Sequence, residues 1–449
     1  MPQLVGADPS RIVHATGTLL TCSRQRLLVL RAPCNYIIPA TFISFHRRCE
    51  TAMENEKAIL LKRGAARRTE RGHLWVFSNE VDAVTGDPQP GDPVKVFSAK
   101  RRFLGMALYS KSSMLRGRIY SRLWEQDCDP AFIKGRIEAA LRYRRECAAL
   151  AHSYRLIHSE ADGLPGLIAD VFGDHVVTQI ATYAMEIRRD AIIAALVETL
   201  SPTAIIEKSD APYRAGEGLA ERKEVVYGKP RVPCEIQENG VTVLADLMGG
   251  QKTGYFLDQV RNRAMAIPFF SGKRVLDLFC YVGAWSIVAG AHGALETIGV
   301  DSSENALALA AESLKANHLD PARHTFLKTD VFAHVRQLVN QKEQFDVVIL
   351  DPPALAKSKK DAEHALGAYR ELNLRAMRLL ADDGLLITCS CSHNVSEQDF
   401  QDMLVLAAKD SRADFSILFR SSQSPDHPVH LQTPETSYLK AFFLKKRVF

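Results

Sequence analysis

The chain has 449 residues, of which 46% are hydrophobic and 24% charged, with a formal net charge of +5 at pH 7. Its nine cysteines form no CxxC pair and no regular framework, which argues against a secreted, disulfide-stapled scaffold and for a reduced, cytoplasmic protein. No run approaches the roughly 18 to 20 uninterrupted apolar residues of a membrane-spanning helix, so no membrane partner is expected, and the length suits two or three domains.

Residues 1–56 contain six arginines and four acids, with Cys22, Cys34 and Cys49 scattered among them and no sustained helix or strand period. They read as a disordered or misassigned extension. A targeting peptide is one alternative; the preferred one is translation from Met53, where MENEKAILLKRG begins to look like a domain.

From Lys57 to Arg122 there are 14 Lys/Arg against 5 Asp/Glu, so this stretch carries +9 and everything after it carries −6. The segments AILLK, HLWVFS, PVKVFS, FLGMALYS and GRIYS, separated by Gly, Pro and Asp, predict a small β module over 57–124. Concentrated positive charge on one module is expected where it meets phosphates. Lys62, Arg63, Arg67, Arg68 and Arg71 are the candidate contacts; a solvated basic face without a partner is the alternative.

A mixed α+β module is expected over 127–230. A helix from Asp129 places Arg136, Arg142, Arg144 and Arg145 on a cationic face beside the apolar Ile137, Ala140 and Leu141. DGLPGLIADVFGDHVVTQI follows as a hairpin turning at Gly173-Asp174, then a helix around Ile187 to Leu200; Pro230 and Pro233 mark the next junction.

Over 233–449 the strands RVLDLFC, ETIGVD, HTFLKTD, FDVVILD, LLITCSC and YLKAFFLKK alternate with helical stretches. Short apolar runs with helical crossovers predict an α/β fold with a mostly parallel sheet buried on both faces, Rossmann-like in class. Ser396 with Asp399 suits a capping box opening the last helix.

Ligands of open α/β sheets sit beyond the carboxyl ends of the strands. Asp277 lies in the first strand of this half, Phe279, Tyr281 and Gly283 in the loop after it, Asp301 ends the second strand and Asp330 the third. An acid at the position of Asp301 can accept hydrogen bonds from both ribose hydroxyls of an adenosine group. DLFCYVGAW lacks the GxGxxG glycines that let a backbone approach a pyrophosphate, which favours S-adenosylmethionine over a dinucleotide. Asp277 could then favour the cationic end of that ligand. Strand-end polar residues, a helix cap and a turn glycine are the bland reading.

Asp351-Pro352-Pro353 follows the fourth strand and Cys389-Ser390-Cys391-Ser392-His393 the fifth. A carboxylate on a rigid DPP backbone suits the Watson–Crick edge of a flipped base. A thiolate at Cys391 could add to carbon 6 of a pyrimidine and make carbon 5 nucleophilic, and a cysteine just before a helix N-terminus is expected to have a lowered pKa. Two alternatives stay open here: metal ligation by Cys389, Cys391 and His393, for which no fourth ligand has recognisable spacing, and plain buried cysteines.

The ordered series HLWVFSNEV, GQKTGYFLDQ, VLDLFCYVGAWS, VILDPPALAKSK, ITCSCSH and DHPV…SYLKAFF resembles the bacterial large-subunit (23S) ribosomal RNA cytosine-C5 methyltransferase family, from about Lys57 to the C-terminus. The resemblance implies a PUA domain, a central α/β module and a class I methyltransferase domain using S-adenosylmethionine on ribosomal RNA, naked or in an assembling particle, with a homodimer allowed. It puts the nucleophile on Cys391, the DPP carboxylate on Asp351 and cofactor acids on Asp301 and Asp330. It also brings Lys252, Phe256, Asp258 and Gln259 beside the cofactor. Where members often read DQR this chain has Gln259-Val260-Arg261, which leaves the role of an arginine there open. Guanine N-methylation by the same fold and a non-catalytic RNA-binding or assembly role are the rival functions.

Overall fold

The computed structural model describes residues 56–147, 152–210, 212–356 and 359–447; from Lys57 on, these belong to one compact unit, Lys57–Phe449. The expectations for residues 1–55 lie outside the described residues.

The first sheet holds β1 (Ala58–Leu61), β2 (Trp75–Phe77), β3 (Val81–Thr85), β4 (Pro93–Phe97), β5 (Phe103–Tyr109) and β6 (Leu115–Ser121), in the order β2-β6-β5-β4-β1-β3. All five expected segments form strands. The sixth, β3, was not expected; it is an edge strand with three consecutive exposed residues, so it carries no inward alternation to read. Ile59, Val76, Val94, Val96 and Ile119 fill the core. The short helix α1 (Arg67–Glu70) leads to His73, which pairs with Glu435 at 3.0 Å, and to Leu74, whose N–H donates to Thr433 Oγ1. The basic module is thereby docked on the loop before the last strand of the chain.

Next come α2 (Pro130–Cys147), β7 (Ser153–His158), β8 (Leu167–Phe172), β9 (His175–Ile180), α3 (Tyr183–Glu186), α4 (Arg189–Leu200), β10 (Ala204–Ser209) and β11 (Arg222–Gly228), forming a sheet of order β11-β10-β9-β8-β7. The β8–β9 hairpin turns at Gly173-Asp174 as expected. The cationic face of α2 needs correcting. Arg144 is fully buried, its guanidinium bidentate on Asp162 at 2.5 and 2.8 Å. At 100° per residue Arg142 and Arg144 point to nearly opposite sides of the helix, so both cannot be solvent cations on one face.

A hairpin of β12 (Cys234–Glu238) and β13 (Val241–Ala245) then precedes the catalytic sheet. It was not expected, although Asn239-Gly240, both at positive φ (47° and 80°), is the turn pair that such hairpins favour.

The final layer holds α5 (Val260–Ala266), β14 (Arg274–Leu278), α6 (Ala284–Ala291), β15 (Glu296–Asp301), α7 (Glu304–Ala316), β16 (His324–Lys328), α8 (Val331–Gln341), β17 (Phe345–Leu350), α9 (Ala362–Arg378), β18 (Leu380–Ser390), α10 (Glu397–Ser411), β19 (Asp414–Ser421) and β20 (Lys440–Arg447). The order is β16-β15-β14-β17-β18-β20-β19, parallel except for β20, which runs antiparallel to both neighbours. Alternate residues of each strand face opposite layers: Val275, Val347 and Ile387 pack with Ile287 and Val288, while Leu276, Val348 and Leu386 pack with Tyr369 and Phe400. The expected capping box of Ser396 and Asp399 opens α10. Strand order reverses between β14 and β17, and the cleft described next opens there.

Candidate active site

One wall of the cleft is the loop after β14. Phe279 and Tyr281 are both left-handed (φ 63° and 52°), conformations that non-glycine residues hold only when their surroundings dictate it. The dictating contacts are visible. Tyr281 N donates to Asp301 Oδ2 at 2.9 Å; its hydroxyl accepts from Gln251 N at 2.8 Å and donates to Gly254 O; its ring meets the edge of Phe256 at 5.3 Å. Asp301 uses its other oxygen to accept from Ser303 N at 2.8 Å. The loop after β14 is thus stapled to the end of β15 and to the segment 250–256.

Phe256, Gln259, Phe279, Tyr281, Asp301, Asp351 and Cys391 all line this cleft. Three other expected site residues do not. Asp277 is wholly buried and accepts from Ser286 N (3.1 Å) and Oγ (2.8 Å), holding the start of α6; burial pushes its pKa up to about 7. Gly283 caps α6 at φ +73°, and a Cβ there would lie 2.6 Å from the Phe326 ring. Asp330 is exposed and caps α8 by accepting from Ala333 N at 2.8 Å. All three shape the loops and helices around the cleft rather than its wall.

Asp351, Trp285, Arg263 and Cys391 line the cleft as well. Asp351 accepts from Trp285 Nε1 at 3.4 Å, and the carboxamide of Gln259 faces it, fixed by Asn262 Nδ2 at 2.6 Å. Burial, then the charge of Asp258, push the Asp351 carboxyl up to about 6, against the opposing pull of Trp285, Gln259 and Arg263. It can therefore hold or release a proton near neutrality.

Cys391 follows the end of β18, half-buried, with its thiol directed to the carbonyl of Pro352 at 3.8 Å, while Cys389 is fully buried. The expected lowering of the Cys391 pKa is reversed: burial pushes the thiol up to about 11.

Arg263, Trp285, Tyr255 and Ser302 line the cleft without having been singled out in the sequence. Arg261, where an arginine role was left open, is exposed; the guanidinium at the cleft is that of Arg263, two residues on. It is buried and bidentate on Glu238 (2.5 and 2.7 Å), and donates to Phe256 O. Of the basic candidates, Arg63, Arg67 and Arg71 are exposed and Lys62 donates to Asn79 O. Arg68 turns inward over the Phe77 ring to Glu80 at 3.3 Å.

Residues 59–122 match a PUA-like domain and residues 215–440 match the S-adenosylmethionine-dependent methyltransferase family. Similar curated proteins include the ribosomal RNA large subunit methyltransferase I of Aeromonas hydrophila, 38% identical over 87% of this chain and 99% of that protein, and that of Tolumonas auensis, 36% identical over 86% and 98%. The chain belongs to this methyltransferase family. Among solved structures, a Streptococcus mutans protein described as SAM-dependent shares the fold with a TM-score of 0.75 and 25% identity over 87% of this chain and all of that one. Another, SMU.776, solved with SAH, gives 0.74 at the same identity and coverage.

The chain is accordingly an S-adenosylmethionine-dependent ribosomal RNA methyltransferase. Its cleft fits that cofactor. Asp301 offers a carboxylate beside the left-handed loop, the rings of Phe256, Phe279 and Tyr281 supply apolar wall, and Asp258 Oδ1 is a buried polar atom without a hydrogen-bond partner among the described residues.

Proposed function

We propose that this enzyme methylates carbon 5 of a cytosine in large-subunit ribosomal RNA through a covalent adduct on Cys391. The observation that carries this reading is that a thiol and a carboxyl poised near neutrality, Cys391 and Asp351, share one cleft with the residues suited to the cofactor. Amine methylation requires no thiol, whereas carbon 5 of a pyrimidine becomes nucleophilic only once a group has added at carbon 6.

In this scheme the Cys391 sulfur donates its electron pair to carbon 6, and the ring electrons move toward N3. Asp351 gives its proton to N3 and accepts from the exocyclic amine, which also selects cytosine. S-Adenosylmethionine, when bound, supplies the electrophilic methyl group. Loss of the carbon-5 proton to water forms the carbon 5–carbon 6 double bond and expels the sulfur from carbon 6 as a thiolate, and N3 returns its proton to Asp351. Asp301 would hold the ribose hydroxyls; Phe256, Phe279 and Tyr281 would enclose the adenosine and exclude water. The basic β module would grip backbone phosphates through Arg63, Arg67 and Arg71.

The test is mass spectrometry of ribosomal RNA nucleosides after incubation with labelled S-adenosylmethionine, comparing wild type with Cys391→Ala. Labelled 5-methylcytidine from wild type and none from the variant is the expected result. Label in a methylguanosine that survives the substitution would sink the carbon-5 reading and make Cys391 a packing residue.

A further inference from the structure

On the carbon-5 reading Cys391 must lose its proton in surroundings that oppose the loss, since burial pushes the thiol up to about 11. The charged groups facing it come from several elements. Asp351 after β17 and Asp258 before α5 oppose ionisation; Lys252, in the segment after β13, and Lys440, at the start of β20, favour it. The remaining titratable neighbours favour their neutral forms: burial raises Cys389, Tyr438 and Tyr369 and lowers His393.

The cations around the cleft are not equivalent. Lys440 donates to three carbonyls, those of Ser392 (2.6 Å), Val395 (2.9 Å) and Tyr438 (2.9 Å), so its three N–H bonds are all engaged. Arg263 is committed to Glu238 and to the Phe256 carbonyl. Lys252 differs. Its ammonium meets Asp258 Oδ2 at a loose 3.3 Å, stands 4.4 Å from the Phe256 ring and 5.8 Å from the Tyr438 ring, and keeps 42% of its side chain accessible. Asp258 is itself held by the Tyr438 hydroxyl at 2.6 Å. The Lys252 backbone is left-handed (φ 48°), and the next residue is tied down by Thr253 Oγ1 to Asp170 at 2.6 Å. A cation with donors to spare is thus fixed in the wall of the cleft that Cys391 lines.

We propose that Lys252 is the counter-ion of the Cys391 thiolate, bridging Asp258 and the sulfur while the nucleophile adds to the pyrimidine; this rests on Cys391 being that nucleophile. The S–H proton passes to water at the cleft mouth, and its electron pair stays on sulfur until the bond to carbon 6 forms. Lys252 keeps its own protons throughout. It is a positioning residue, acting through the sulfur.

Alkylation of the full chain with iodoacetamide between pH 6.5 and 9.5, followed by mass spectrometry on the peptide bearing Cys391, reads the thiolate directly. Lys252→Met should slow alkylation at pH 8 by about three-fold or more, because a roughly ten-fold loss of thiolate is partly offset by the greater nucleophilicity of a more basic sulfur. Lys252→Arg should stay within about two-fold of wild type. Asp258→Asn, which removes an opposing charge, should accelerate alkylation. These opposite signs are what a collapsed cleft could not produce. An unchanged profile in Lys252→Met overturns the proposal, as does movement of both variants in one direction. Weakened S-adenosylmethionine binding with an unchanged profile also overturns it, placing Lys252 on the cofactor. Failure of the underlying reading is distinct: it shows as 5-methylcytidine formation persisting in Cys391→Ala.

Discussion

Thr253 Oγ1 donates a 2.6 Å hydrogen bond to Asp170 Oδ2, across from the cleft segment to the central five-stranded sheet. Asp170 is buried and holds Arg155 at 2.7 and 2.8 Å through its two oxygens, so one carboxylate joins a core guanidinium to the segment that carries Lys252 and Phe256. Asp170→Ala would strand Arg155 as an unpaired buried charge and should cost about 3 to 5 kcal/mol. Thr253→Val removes only the tether; about 1 kcal/mol of stability should go, with weaker cofactor binding. Urea denaturation beside calorimetric titration separates the two, and a Thr253→Val protein equal to wild type in both would show that this bond does not position the segment.

Asp301 is expected to contribute most to affinity. Each of its oxygens already accepts one backbone N–H, from Tyr281 and Ser303, which fixes the carboxylate while leaving lone pairs for ribose hydroxyls. In Asp301→Asn one oxygen becomes an amide that repels the N–H it faced, and a charge-assisted contact is lost. Affinity for S-adenosylmethionine should fall by at least about ten-fold. Calorimetry reads it directly, and a fold shift under two-fold would move the ribose contact elsewhere.

How much of this was legible in the sequence depends on which residues are asked. Asp301, Asp351 and Cys391 could be located because strand ends point to one side of a parallel sheet, a local pattern that fixes a global place. Asp277 and Asp330 obey the same pattern and yet sit outside the wall: one is turned inward to Ser286, the other caps α8. Strand position says where a Cα lies, not which way the carboxylate turns. Arg263 and Arg144 were missed as buried ions because their partners, Glu238 and Asp162, are distant in sequence and pairing is a tertiary fact. The β12–β13 hairpin was missed for the opposite reason: Asn239-Gly240 was a local signal that went unused.

The basic module gives a prediction in which one residue separates from its neighbours. Arg63, Arg67 and Arg71 are exposed, whereas Arg68 pairs with Glu80 and stacks on Phe77. Changing the first three to Gln should weaken RNA binding and lower the slope of log affinity against log salt by about 2, as released counterions fall. Arg68→Gln should leave that slope nearly unchanged. Filter binding at several salt concentrations distinguishes them; an unaltered slope in the triple variant would remove this face from the RNA interface.

Asp351 should trade stability for function. Its carboxyl is raised from 3.8 to about 6 by burial and by Asp258. Below about pH 3.8 it is neutral folded and unfolded, and the folded state suffers no penalty. Between that pH and about 6 the unfolded chain ionises first, and above 6 the full cost of a charged Asp351 is in place, so its contribution falls as pH rises. Two units correspond to about 3 kcal/mol, which exposure to the cleft cuts to about 1 to 2 kcal/mol. Asp351→Asn keeps an acceptor for Trp285 and cannot ionise. At pH 7.5 it should melt higher than wild type by about 1 to 3 °C, with the advantage vanishing toward pH 4, while methylation falls by more than about a hundred-fold. Calorimetric melting at the two pH values is the measurement. A variant less stable than wild type at pH 7.5 would mean that Arg263 and Trp285 more than offset the buried charge.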